Sequence, residues 1–138
     1  MKSSHTLVVI GLLLCGGCGE SSRDQLFTEQ LDTMKEAGSV LARVKDVESA
    51  RAAKPQVSDL AQRMLNLSKR EKELPALTPD ESTRLREKFK DRAQDVGQFG
   101  MEIVRLEFLA PQEVRAEIHS ELAALRMDSP HMLTFLEQ

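Results

Sequence analysis

Three groups of side chains in this sequence have types and spacings that can do chemistry. Cys15 and Cys18 make a Cys-x-x-Cys pair; Glu113, Glu117 and Glu121 recur at every fourth position around His119; and Arg84, Arg86, Lys88, Lys90 and Arg92 crowd five cations into one short run. A Cys-x-x-Cys can exchange disulfides or supply half of a zinc site, but the first needs a strand-to-helix context and the second needs two further ligands. Gly19 also stands where haem attachment requires His. The glutamates would line one helix face and could attract a cation, yet His119, two residues from Glu117 and from Glu121, is turned away from them. His119 and His131 have no second His or Cys at metal-ligand spacing, so the row is expected to be a solvated acidic face and no metal is expected. The basic run is a possible interaction surface for phosphates or an acidic partner. The reading that needs no ligand, and the favoured one, is the charged exterior of a helix whose inner face carries Leu85 and Phe89, relieved by Glu87 and Asp91.

Covalent catalysis has nothing to start from. There is no Gly-x-Ser-x-Gly elbow, no Ser-x-x-Lys and no Gly-rich phosphate loop. An acid–base enzyme would need carboxylates such as Glu113 or Glu117 to be buried with raised pKa values. The expectation is therefore a protein without catalytic residues or cofactor. The absence of Trp and Tyr removes the flat amphipathic rings that commonly support sugars or bases. A net charge of -3 over 138 residues gives no basic field for nucleic acid.

The elements that must position these groups are helical. Only 4% of residues are aromatic, and seven Gly and five Pro are too few for a strand-and-turn architecture. From Asp24 onward Phe27, Leu31, Met34, Ala37, Leu41 and Val44 are spaced by three and four, which predicts a first helix. Asp46 and Ser49 are cap-type residues and predict a turn with a second helix after it, kinked at Pro55. The competing arrangement runs the first helix to Ala53 and begins the next at Pro55. Val57, Leu60, Ala61, Met64, Leu67 and Leu74 form the second stripe. Thr78-Pro79-Asp80-Glu81 reads as a capping box with proline at the first helical position. It opens a long third helix through Leu85, Phe89, Ala93, Val96, Phe99, Ile103 and Leu106. Gly97 and Gly100 in that helix suggest close helix approach or a bend. Ala110-Pro111 should end it, and Val114, Ile118, Leu122 and Leu125 make a fourth face. Ser129-Pro130 starts a last turn whose Met132, Leu133, Phe135 and Leu136 should dock the tail. Met34, Met64, Met101, Met127 and Met132 are expected in the core. The fold expected is all-α: an antiparallel helical hairpin or bundle of three to four helices, in one domain over residues 24–138, with an elongated form completed by dimerisation as the variant.

The amino terminus reads as an address. Lys2 gives a positive start, and Leu7 to Leu14 is an apolar run too short to cross a bilayer, so residues 1–17 are expected to be a signal peptide. Leu14-Cys15-Gly16-Gly17-Cys18-Gly19 resembles the lipobox of bacterial lipoproteins, which implies lipidation of Cys18 after cleavage at Gly17. Cys15 stands where the family usually has an aliphatic residue. The resemblance implies three acyl chains, a firm anchor given about 0.8 kcal/mol per buried methylene. Residues 18–23 would be the lipidated Cys and a short Ser-rich tether. With Gly19 rather than an acidic residue after the Cys, the family pattern implies the periplasmic face of the outer membrane.

Leu77-Thr78-Pro79-Asp80-Glu81 is also similar to the Leu-Thr-x-x-Gln motif of Spy-like periplasmic chaperones, with Glu81 in place of Gln. That likeness implies a small helical envelope protein holding unfolding clients. The chain as a whole resembles small helical lipoproteins of bacteria. The expected function is a non-catalytic envelope lipoprotein, anchored to the membrane by lipid, that binds an envelope protein or itself. The alternative is a periplasmic chaperone or stress sensor for unfolded chains.

Overall fold

The computed structural model describes residues 21–127, and every regular element among them is helical. Helix α1 (Ser22–Ala42) starts at Ser21, whose hydroxyl accepts the backbone N–H of Asp24 at 3.2 Å. The helix thus begins ahead of the expected boundary, and Ser22 and Arg23 belong to the fold rather than to a tether. Arg23 is buried and donates to the carbonyl of Pro75.

Helix α2 (Val47–Lys72) opens with a reciprocal cap. Asp46 Oδ1 accepts the N–H of Ser49 at 2.8 Å, and Ser49 Oγ accepts the N–H of Asp46 at 3.0 Å. The Ser49 N–H holds the Asp46 carboxyl below its ordinary pKa. This cap fixes where α2 starts: it begins at Val47 and continues through Pro55 as one helix, so the break after Ala53 does not occur. Pro55 is exposed, and water can serve the carbonyl that its missing N–H leaves without a partner.

The third rod is made of two α-helices and two irregular turns. Helix α3 (Pro79–Phe89) is capped by Thr78 and Glu81, each accepting the other's backbone N–H at 3.2 Å. A 3₁₀ turn (Lys90–Arg92) joins it to α4 (Ala93–Val104), which widens into a π turn (Arg105–Leu109). The tighter 3₁₀ turn changes the phase of the rod. Ala93, expected on the inner stripe, is consequently exposed, while Val96, Phe99, Ile103 and Leu106 are buried. The π turn closes with the N–H of Ala110 donating to the carbonyl of Arg105 at 2.8 Å. Ala110 itself is extended, as a residue before proline must be, and α5 (Gln112–Met127) follows Pro111.

Cross-helix pairs define the topology. Glu29 and Glu36 of α1 meet Arg70 and Arg63 of α2, so these two run antiparallel. Asp24, Asp32 and Leu41 of α1 meet Arg84, Arg92 and Arg105 in that order, so the third rod runs alongside α1 in the same direction. Helix α5 packs on the far side of α2 and against the π turn. Helices consecutive in the chain are antiparallel, but residues 73–78 cross the end of the bundle and place α1 and the third rod side by side and parallel. The four rods enclose one core in which Phe27, Leu31, Met34, Leu60, Met64, Leu85, Phe99, Ile118 and Leu122 are all buried.

The glycine that lies at a helix contact is Gly38 on α1, where an added Cβ would come to van der Waals distance of the third rod. A Cβ on Gly38 would sit 3.4 Å from the backbone N of Phe99, whereas one on Gly97 would meet nothing within 4 Å. The irregular turns of the third rod fall at 90–92 and 105–109, so Gly97 lies within regular α-helix and serves neither a close approach nor a break.

A candidate interaction surface at the π turn

The basic run of the third rod is turned largely to structural use. Arg84 Nη2 and Lys88 Nζ lie 2.7 and 2.8 Å from the two carboxylate oxygens of Asp24, whose side chain is 6% exposed. The Arg84 guanidinium, helped by Lys88 and Ser21, outweighs the cost of burial and holds the Asp24 carboxyl well below the usual carboxylate range. Lys88 also lies over the ring of Phe89, 5.5 Å from its centroid, and that ring stacks on Phe27 at 5.9 Å. Arg92 bridges Asp95 and Asp32 at 2.7 and 2.8 Å, and Lys90 pairs with Glu87. Arg86 is half-buried beside them. Arg84 and Lys88 thus pin the start of α1 to the third rod, and Arg92 pins its middle.

The acidic row behaves in a similar way. Glu117 faces Arg51 and Lys54 of α2 at 3.4 and 3.7 Å, Glu121 accepts from Ser120, and Glu113 is exposed. Among the described residues no three His, Cys, Asp or Glu side chains come together as metal ligands would. Cys15, Cys18, His131 and the Ser129-Pro130 turn lie outside the described residues.

What the structure leaves open lies at the other end of the third rod. Met101, Val104, Phe108 and Leu109 are 73%, 51%, 66% and 76% exposed. Met101 was expected in the core; Met34 and Met64 are there, but Met101 is not. The reason is geometric. Phe99, Ile103 and Leu106 already fill the inner face of the rod, and Met101, Val104 and Phe108 fall on the opposite one. With Gly97 they are spaced four, three and four apart, the seam that a helix presents to a partner helix. The π turn adds a residue to its turn, which leaves both Phe108 and Leu109 outside while Leu106 stays in.

Beside this apolar row runs a groove of about 370 Å³ between the π turn and α5, lined by Leu106, Glu107, Arg115, His119 and Leu122 among others. Glu107 is nearly buried and pairs with Arg126 at 3.3 Å. Arg115 donates from Nη1 to the carbonyl of Glu107, while its buried Nε has no partner. None of the four exposed apolar side chains lines this groove, which lies on the α5 side of the π turn. The signal of the exposed row in the sequence was a second apolar face on the third rod. That face is invisible to a search that follows only the inward stripe. Among the described residues no helix is long and apolar enough to cross a membrane. No family model matches the chain, and no curated protein and no solved structure is significantly similar to it.

Proposed function

We propose that this protein is a non-catalytic envelope lipoprotein, anchored through Cys18, whose helical bundle presents a protein-binding surface at the π turn. The observation that carries the reading is the exposed row Met101, Val104, Phe108 and Leu109, since contiguous apolar side chains of this size on a small domain mark interaction sites more often than chance. The lipobox-like segment supports the anchor and the periplasmic face of the outer membrane. Helix α1 starts four residues after Cys18, so the end of the bundle that holds Asp24, Arg84 and Lys88 sits next to the lipid. The apolar row is level with the far end of α1, where Arg105 reaches the Leu41 carbonyl. At 1.5 Å per residue this puts it roughly 25–30 Å out from the membrane-facing end. A surface held there suits a partner in the periplasm better than the bilayer itself.

Two measurements test the reading. Cys18→Ala should abolish fatty-acid labelling and Cys15→Ala should leave it; the reverse pattern would move the anchor. Crosslinking of the native protein in its envelope should capture one stoichiometric neighbour. A broad set of unrelated envelope proteins, together with suppression of client aggregation by the purified protein, would favour the chaperone alternative. The same exposed row would then serve as a client surface. The Thr78–Glu81 motif that resembles the chaperone family is occupied as a helix cap.

A further inference from the structure

The outward face of the third rod carries no charge along its second half. Between Ala93 and Phe108 the residues that point away from the bundle are Ala93, Gln94, Gly97, Met101, Val104 and Phe108, in a chain that is 30% charged. Val96, Phe99, Ile103 and Leu106 already make the opposite face apolar. A helix that lacks a charged face is one that is covered on both sides.

A second copy of the same rod fits this face. Gly97, Met101, Val104 and Phe108 hold the d, a, d and a places of a heptad repeat, the seam of a two-helix coiled coil. Arg105 flanks the seam on one side and is paired with Glu102 at 2.7 Å; Glu107 flanks it on the other and is paired with Arg126 at 3.3 Å. Neither flank brings a bare charge to the contact. In a parallel pair the Arg105 flank of each copy runs beside the Glu107 flank of the other, whereas an antiparallel pair sets like beside like. The four exposed apolar side chains with Ala93, Gln94 and Gln98 offer roughly 500–600 Å² per copy, so two copies bury on the order of 1,000–1,200 Å², the lower end of specific interfaces.

The anchor sets the same direction. Helix α1 starts at the lipid end and the third rod runs alongside it in the same sense, so two copies held on one leaflet bring their third rods together in parallel. Holding both copies at one surface also raises their effective concentration, which suits an interface of modest area.

We propose that the third rod is a dimer interface, in which two copies pair in parallel with Met101, Val104 and Phe108 of one packed on the same residues of the other. The inference rests on the reading of the row as a protein-binding surface and names its partner as a second copy of this chain.

The test uses the full chain purified in detergent, with a photoreactive benzoylphenylalanine at Phe108 and an equal mixture of isotopically light and heavy preparations. The expected product has the mass of two chains and mixed label, and joins position 108 to residues 104–112 of the other copy. A link to residues 93–101 of the second copy, a link to any other segment, or a single-chain product alone would overturn the proposal. A chain that is monomeric here but captures a different envelope protein in cells would refute the dimer and leave the row as an interaction surface. By sedimentation equilibrium, Met101→Glu should raise the dimer dissociation constant more than about tenfold with helix content unchanged. Gly97→Leu, whose Cβ meets nothing in its own chain, should lower that constant about tenfold by adding a side chain to the seam. An unchanged constant in either variant would overturn the proposal as well.

Discussion

At the scale of single residues, Asp24 is the most demanding group in the fold. It is a nearly buried carboxylate whose charge is met by Arg84, Lys88 and Ser21, and it holds the start of α1 against the third rod. Removing that charge leaves two cations facing an amide, and Asp24→Asn should cost about 1–3 kcal/mol in chemical denaturation. The pH dependence follows from the direction of the shift. Because the folded pKa is depressed, the contribution is complete above the unfolded value of about 3.9 and is lost as pH falls below it towards the folded value. Wild type should therefore lose stability more steeply than Asp24→Asn below about pH 4, and equal slopes would show that the carboxylate is not clamped. The basic run was legible in the sequence as a cluster, but its acidic partner was not. Asp24 lies some sixty residues away, and only the parallel packing of α1 with the third rod brings the two together.

Among the elements, most of what the structure shows could be read beforehand from periodicity and caps. The Asp46–Ser49 and Thr78–Glu81 boxes start helices where their side-chain chemistry says they should, and Ala110-Pro111 ends one. The misses have local causes. The 3₁₀ turn at Lys90–Arg92 shifts the phase and expels Ala93, and the π turn exposes Phe108 and Leu109; neither departure from 3.6 residues per turn leaves a mark in a hydrophobic pattern. Pro55 is tolerated because it faces solvent, but it still removes a helix bond. Pro55→Ala should raise stability by about 1–3 kcal/mol, read as a higher denaturation midpoint with unchanged slope. A loss of stability would mean that Pro55 sets a bend on which the packing of α2 depends. Gly97→Ala, whose Cβ meets nothing, should stabilise by up to about 1 kcal/mol on the same measurement.

For the molecule as a whole, the two ends of the bundle differ in chemical character. The end near Ser21 is bound by charge: Asp24 with Arg84 and Lys88, Arg23 on Pro75, and Glu29 with Arg70. The end near the π turn keeps Met101, Val104, Phe108 and Leu109 in solvent. On the proposed function, the first end would lie next to the lipid anchor and the second would carry the interaction surface. Since Phe108 is not part of the core, Phe108→Asp should change stability by no more than about 0.5 kcal/mol while removing the apolar surface. The most direct measurement is site-specific photocrosslinking in intact cells, with the probe at Phe108 and a control probe at the exposed Ser39 on α1. A discrete adduct to one envelope neighbour is expected from Phe108 and not from Ser39. Identical crosslinking from both positions, or none above the mass of a single chain from either, would contradict it.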